Sequence, residues 1–235
     1  MKTIGILGGM SWESTVGYYQ RINRGIQAKL GGLHSAKVLI NSVDFAEYET
    51  LQHQGDWAEI ARLLTTAAQQ LERAGADMIL IATNTMHLVA EQIQSQLQIP
   101  LLHIADATGD AIVAKKLDRI ALLGTAFTME KPFYKAKLTD QFGLQVDIPP
   151  SDQRKKIHDI IYNELCRGEI NEKSRLYYLD VIADLEQQGV QGVILGCTEI
   201  GLLVSQQDCN IEVFDTTQIH AEAAVNWALA NELLP

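Results

Sequence analysis

Strands alternating with amphipathic helices predict an α/β fold for this chain, with mainly parallel sheets arranged as two similar domains. Three observations carry the prediction: short apolar runs of strand length, longer runs of helical period between them, and segments that recur along the chain.

The apolar runs at 3–7 (TIGIL), 37–43 (KVLINSV), 77–82 (DMILIA), 100–104 (PLLHI), 119–123 (RIALL) and 192–195 (GVIL) read as buried strands. Residues 57–74 place Trp57, Ile60, Ala61, Leu64, Ala67, Ala68 and Leu71 on one helical face, and Gly75 closes the run as a C-cap. Residues 154–165 form a second amphipathic helix with a charged face. Gln218 to Leu233 reads as a closing helix that returns to the first half.

The repeat aligns LERAGADMILIATNT (71–85) with LEQQGVQGVILGCTE (185–199), and TIGILGGMS (3–11) with RIALLGTAF (119–127). The break between halves falls near Gln98 to Leu101, giving a first domain of 1–98 plus 208–235 and a second of 99–207. A chain of 235 residues has enough length for two such lobes.

Composition excludes several classes of function. With 19 Lys plus Arg against 29 Asp plus Glu, the net charge of -10 repels a phosphate backbone, so nucleic acid is not an expected partner. No run approaches the roughly 18 apolar residues of a membrane span. The apolar stretch of MKTIGILGG is too brief for a signal peptide, so the expected location is the cytosol. Cys166, Cys197 and Cys209 lack metal-ligand spacing and are odd in number, which argues against both a zinc site and a disulfide framework.

The repeat gives Thr83 and Cys197 equivalent places, each just past a buried strand, where α/β sheets build their sites. If the two halves face one another, these side chains converge on a cleft from opposite sides, as inversion of a carbon centre requires. A thiol suits proton abstraction when its neighbours favour the thiolate. A helix starting at Thr198 and Glu199 would aim N–H groups at the sulfur. The competing reading of Cys197 is a small buried hydrophobe.

These segments resemble the aspartate/glutamate racemase family. VILGCTEIGLL (193–203) is similar to the family's second active-site signature, ILIATNTMH (79–87) to the first without its cysteine, and GILGGMSWEST (5–15) to the N-terminal motif of the aspartate racemase branch. The resemblance implies two α/β domains with the site between them, no pyridoxal phosphate or other cofactor, no metal, and a homodimer. It also implies a two-base mechanism on a dicarboxylic amino acid. In that pattern Cys197 serves the L-enantiomer and Thr83 stands where the thiol serving the D-enantiomer is expected. Asn84, Thr85 and Thr198 match positions that hold the amino and α-carboxylate groups, and Met10 and Thr125 match loop positions that add hydrogen bonds.

A threonine hydroxyl is too weak an acid to act as an alkoxide base at neutral pH, but it, or a water it holds, can return a proton to a carbanion. Enantiomers have equal free energy in water, so both directions share one kcat/KM, and a weak partner at position 83 slows net inversion both ways. Cys197 alone can still exchange the α-hydrogen of an L-substrate.

The other candidates carry less. GILGG at 5–9 lacks the spacing of a dinucleotide loop. His87, three residues beyond Asn84, offers a general acid but reads more readily as a polar cap or packing residue, and His103 reads as a core or strand-end residue. Gln52, in the polar loop expected after 43–49, is the candidate for the distal carboxylate, and no arginine in the matched motifs clamps that group. Two alternatives stay open: a related thiol-dependent decarboxylase or isomerase, and a binding protein for acidic amino acids that has lost turnover.

Overall fold

The computed structural model describes residues 1–230. It divides into two compact units, one formed by Met1–Ile104 with the chain from His220 onward, the other by Ala105–Ile219.

In the first unit the strands are β1 (Ile4–Gly8), β2 (Val38–Ser42), β3 (Met78–Ile81) and β4 (Leu101–Leu102). They pair in parallel in the order β2-β1-β3-β4. Helices α1 (Trp12–Leu30), α2 (Phe45–Gln54), α3 (Trp57–Arg73) and the short α4 (Ala90–Gln94) provide the crossovers. Parallel strands need such connections, and helices on both faces bury both sides of the sheet. The alternation is visible residue by residue. Leu7, Ile79 and Ile81 pack with Ile60, Leu64, Ala68 and Leu71 of α3. Ile4, Ile6, Met78 and Leu80 face the other way, onto Tyr18, Ile22 and Ile26 of α1 and Ala221, Ala224 and Val225 near the C-terminus. Each fully buried Leu or Ile contributes about 1.5–3 kcal/mol, so the two faces supply the main driving force for this half.

The second unit holds α5 (Ile104–Ala114, which starts on the last residue of the first unit), β5 (Arg119–Gly124), α6 (Ala126–Glu130), α7 (Pro132–Phe142), β6 (Gln145–Asp147), α8 (Ser151–Asn163), α9 (Glu172–Gln187), β7 (Gly192–Gly196) and β8 (Glu212–Asp215). Its sheet is again parallel, in the order β6-β5-β7-β8. Helix α10 (Thr216–Leu229) follows, and the chain re-enters the first unit at His220 within it. The expected closing helix runs to Leu233, and its positions beyond 230 lie outside the described residues.

The repeat is present in strand register. The pairs Ile4↔Met78, Gly5↔Ile79 and Leu7↔Ile81 of the first sheet reappear as Ile120↔Gly192, Ala121↔Val193 and Leu123↔Leu195 in the second.

Several elements differ from the sequence reading. The strand expected at 100–104 shrinks to two residues because α5 begins at Ile104. Strands β6 and β8 are short and half exposed, so neither shows a long apolar run. β8 lies in the 208–235 stretch that the sequence assigns to the first half, yet it pairs with β7 and completes the second sheet. The expected loop around Gln52 is helix α2, started by the Asp44 side chain accepting the N–H of Ala46 at 3.2 Å.

Candidate active site

In the first unit the candidate residues gather at the C-terminal ends of β1 and β3. Gly9 follows β1 with φ of +92°, and a Cβ there would come within 2.2 Å of the Val43 carbonyl oxygen, so only glycine allows the loop to pass β2. The loop is tied back on itself: the Gly9 N–H donates to Thr15 Oγ1 at 2.8 Å, and that hydroxyl donates to the Ser11 carbonyl at 3.1 Å. With its amide taken and its backbone against Val43, this loop packs against the protein rather than cradling a phosphate. Met10 is buried in the cluster that contains Tyr48 and Met86. Gln52, buried on α2, directs its amide to the Met86 sulfur at 3.7 Å, close in sequence to Thr85.

After β3 the chain passes Ala82, Thr83 and Asn84 and enters a 3-10 turn over Thr85–Val89. Asn84 and Thr85 are buried, whereas Thr83 is half-buried. The carbonyls of the corner are held individually. Ser14 Oγ donates to the Ala82 carbonyl at 2.9 Å, and His87 Nδ1 bonds the Thr83 carbonyl at 2.8 Å. His87 is therefore a polar cap, as one of its sequence readings had it, and the group it caps is the Thr83 carbonyl. The i, i+4 spacing of Thr83 and His87 on one turn was the signal available.

In the second unit Thr125 stands between β5 and α6, where its hydroxyl accepts the Thr128 N–H at 3.2 Å. At the neighbouring strand end, the Leu195 carbonyl accepts from Thr216 Oγ1 at 2.7 Å. The strand ends themselves meet as Gly124↔Gly196, and a Cβ on Gly124 would lie 2.7 Å from the Gly196 carbonyl oxygen. Small residues are thus required where β5 and β7 deliver Thr125 and Cys197.

Cys197 is 8% exposed, and its Sγ donates to Glu199 Oε2 at 3.0 Å. The Thr198 hydroxyl donates to the same oxygen at 2.7 Å. Glu199, itself 2% exposed, is a candidate site residue that sequence reasoning did not single out. Its position two residues beyond the thiol in a buried stretch was the signal. The α-helix expected to start here is absent: a three-residue 3-10 turn, Ile200–Leu202, follows instead. The carboxylate, not a set of helix amides, dominates the sulfur's surroundings. Burial and the nearby Glu199 charge push the Cys197 thiol well above its ordinary value, opposed only by the Glu199 N–H. The expected neighbours that would favour a thiolate are therefore not what the chain itself provides. This arrangement holds a proton on sulfur with a ready acceptor beside it.

Cys166 packs against the same core cluster, and burial also pushes its thiol up. Among the described residues, no group of three or more His, Cys, Asp or Glu is placed to hold a metal ion, and no helix is long and apolar enough to cross a membrane.

Comparison with known proteins gives these strand ends a context. The sequence profile of the Asp/Glu/hydantoin racemases matches residues 7–224. A crystal structure of an Asp/Glu racemase candidate from Yersinia pestis is 54% identical, covering 97% of this chain and 100% of that one, with a TM-score of 0.91. An aspartate racemase homologue from Pyrococcus horikoshii is 35% identical, over 97% of this chain and 99% of that one, with a TM-score of 0.84. A broad specificity amino-acid racemase of Bacillus subtilis is 24% identical over 232 residues, 97% of this chain and 98% of that protein.

Proposed function

The chain belongs to the Asp/Glu/hydantoin racemase family and is an isomerase acting on amino acids, and from that premise we propose that it racemises L-aspartate and L-glutamate, with Cys197 taking the α-proton and Thr83 returning one. The observation that carries this reading is the Cys197–Glu199 contact at 3.0 Å, on a strand end whose counterpart in the repeat bears Thr83.

A thiol whose proton is held this firmly is not a base at rest. In the proposed reaction the substrate's α-ammonium group supplies the positive charge that the free pair lacks. The thiol proton then passes from Sγ to the Glu199 carboxylate, leaving a thiolate. That thiolate removes the α-proton of the L-enantiomer, breaking the C–H bond and forming S–H. Hydrogen bonds to the α-carboxylate stabilise the planar carbanion-like intermediate. Thr83, or a water it holds, delivers a proton to the opposite face and is reprotonated from solvent, while Glu199 releases to solvent the proton it took from Sγ, which restores the resting thiol and carboxylate. Both proton transfers are assigned to side chains, without pyridoxal phosphate or a metal.

Asn84, Thr85 and Thr198 hold the amino and α-carboxylate groups in this reading, while Met10 and Thr125 contribute from the neighbouring strand ends. Gln52 takes the distal carboxylate. An amide in that role binds through one or two hydrogen bonds rather than a charged clamp, which allows side chains of both lengths. The same reading makes the protein a homodimer of the cytosol. A reducing compartment keeps Cys166, Cys197 and Cys209 as the free thiols they are here. Trp12, Val16 and Tyr19, exposed along one face of α1, offer apolar surface for a second copy.

The test is proton NMR of L- and D-aspartate and glutamate in heavy water, with inversion followed separately on a chiral column. α-Hydrogen washout from the L-substrate is expected to outrun inversion, because the thiol can exchange with retention while inversion also needs Thr83. Equal rates of washout and inversion would sink this division of labour.

A further inference from the structure

His87 takes no part in the steps above, yet both ring nitrogens are committed. The Ile104 N–H donates to Nε2 at 3.2 Å, and Nδ1 lies 2.8 Å from the Thr83 carbonyl oxygen. A backbone N–H can only donate and a carbonyl can only accept, so Nε2 is the lone-pair nitrogen and Nδ1 carries the proton. The ring is thereby fixed as one neutral tautomer. Its own backbone N–H also donates to the Asn84 carbonyl at 3.1 Å. Two further imidazoles flank the ring, His103 at 4.6 Å and His220 at 5.8 Å between centroids.

The partner of Nε2 has its own significance. Ile104 is the last residue of the first unit before the chain crosses to the second, and His220 is the first residue on its return. His220 Nε2 bonds the Leu102 carbonyl at 2.9 Å, and its Nδ1 lies 2.9 Å from the Tyr18 hydroxyl. Within the first unit, both crossing points are thus tied down by histidines beside the Thr83 corner.

We propose that His87 is the positioning residue of the proton-returning arm: locked by Ile104, its Nδ1–H holds the Thr83 carbonyl and so sets the backbone that presents the Thr83 hydroxyl. This rests on the reading that Thr83 returns the proton. A hydroxyl or its bound water delivers a proton only from hydrogen-bonding distance, so a slack corner costs inversion without affecting the thiol's exchange.

The experiment measures L-aspartate and L-glutamate in heavy water, recording α-hydrogen washout, inversion and KM for wild type, His87→Ala, His87→Asn and His87→Gln. His87→Ala is expected to lower inversion by about tenfold or more while washout and KM for the L-substrate stay within about twofold. His87→Asn, whose amide N–H stands where Nδ1–H stood, should restore inversion better than His87→Gln, whose amide lies one bond further out. If His87→Ala does not fold, the Asn and Gln pair alone decides the matter. Equal loss of washout and inversion in a folded variant, unchanged inversion in His87→Ala, or Gln matching or exceeding Asn overturns the positioning role. A wild-type protein that neither exchanges nor inverts either substrate instead removes the aspartate/glutamate reading, and this role with it.

Discussion

The corner after β3 and the corner after β7 share one strand register but handle protons differently. In the first, Ser14 and His87 hold the Ala82 and Thr83 carbonyls, so these two side chains fix backbone. In the second, Thr216 holds the Leu195 carbonyl, and Cys197 and Thr198 both donate to the Glu199 carboxylate. The repeat sets Thr85 against Glu199, so one half has a hydroxyl where the other has a carboxylate. The lesson is that a duplicated backbone fixes where side chains stand, while the proton chemistry is set by one neighbour.

Removing the thiol breaks the comparison most severely. Cys197→Ser is expected to lower both α-hydrogen washout and inversion by about 10²–10⁴, the range for general acid–base groups, as read by NMR in heavy water. Undiminished exchange would show that the base lies elsewhere.

Glu199→Gln separates the thiol from its acceptor. The Glu199 charge raises the thiol, so its loss should shift the pH profile of Cys197 alkylation by iodoacetamide to lower pH, measured by peptide mass mapping. Washout should fall by about tenfold or more, because the thiol has lost its proton acceptor. A more reactive thiol that is a poorer catalyst is the signature of the pair.

Thr83→Cys gives both corners a thiol. Inversion should rise relative to washout by about tenfold, bringing the two rates together on chiral chromatography and NMR. A variant that inverts no faster would place the slow step outside the Thr83 corner.

The last effect is on stability rather than on turnover. Burial pushes His220 down to about 4 and His87 well below its ordinary value of 6.5, so both are neutral in the fold. Below about pH 6.5 the unfolded chain takes up protons that the folded chain does not. Stability is therefore complete above that pH and is lost as pH falls toward 4, by about 3 kcal/mol for His220 alone. Thermal melts from pH 7 to pH 4 should show this loss, and His220→Gln should flatten it while preserving the bond to Leu102. An equal slope in the variant would assign the acid sensitivity to other groups.

Much of this molecule was legible in local pattern. The face of α3 from Ile60 to Leu71 follows helical period, and the buried strands announce themselves as unbroken apolar runs because helices cover both faces. β6 and β8 gave no such signal, since edge strands with exposed residues look like loops. Gln52 was misplaced for a related reason: α2 carries polar residues such as Glu47, Glu49 and Gln54 and reads as loop, although packing buries Gln52 itself. Glu199 was visible in sequence, but a carboxylate beside a thiol reads equally well as the first turn of a helix until its direction is known.

The sequence by itself determined the two α/β halves, their shared register, and the placement of Thr83 and Cys197 at matching strand ends, because hydrophobic period and repetition are local properties. Only the tertiary structure decided that Glu199 turns its carboxylate to the sulfur, that Ser14 reaches the Ala82 carbonyl across 68 positions of chain, and that Ile104 selects the tautomer of His87. The physical reason is that hydrogen bonds are directional and burial is collective, so which proton faces which acceptor is settled only when the packed elements have met.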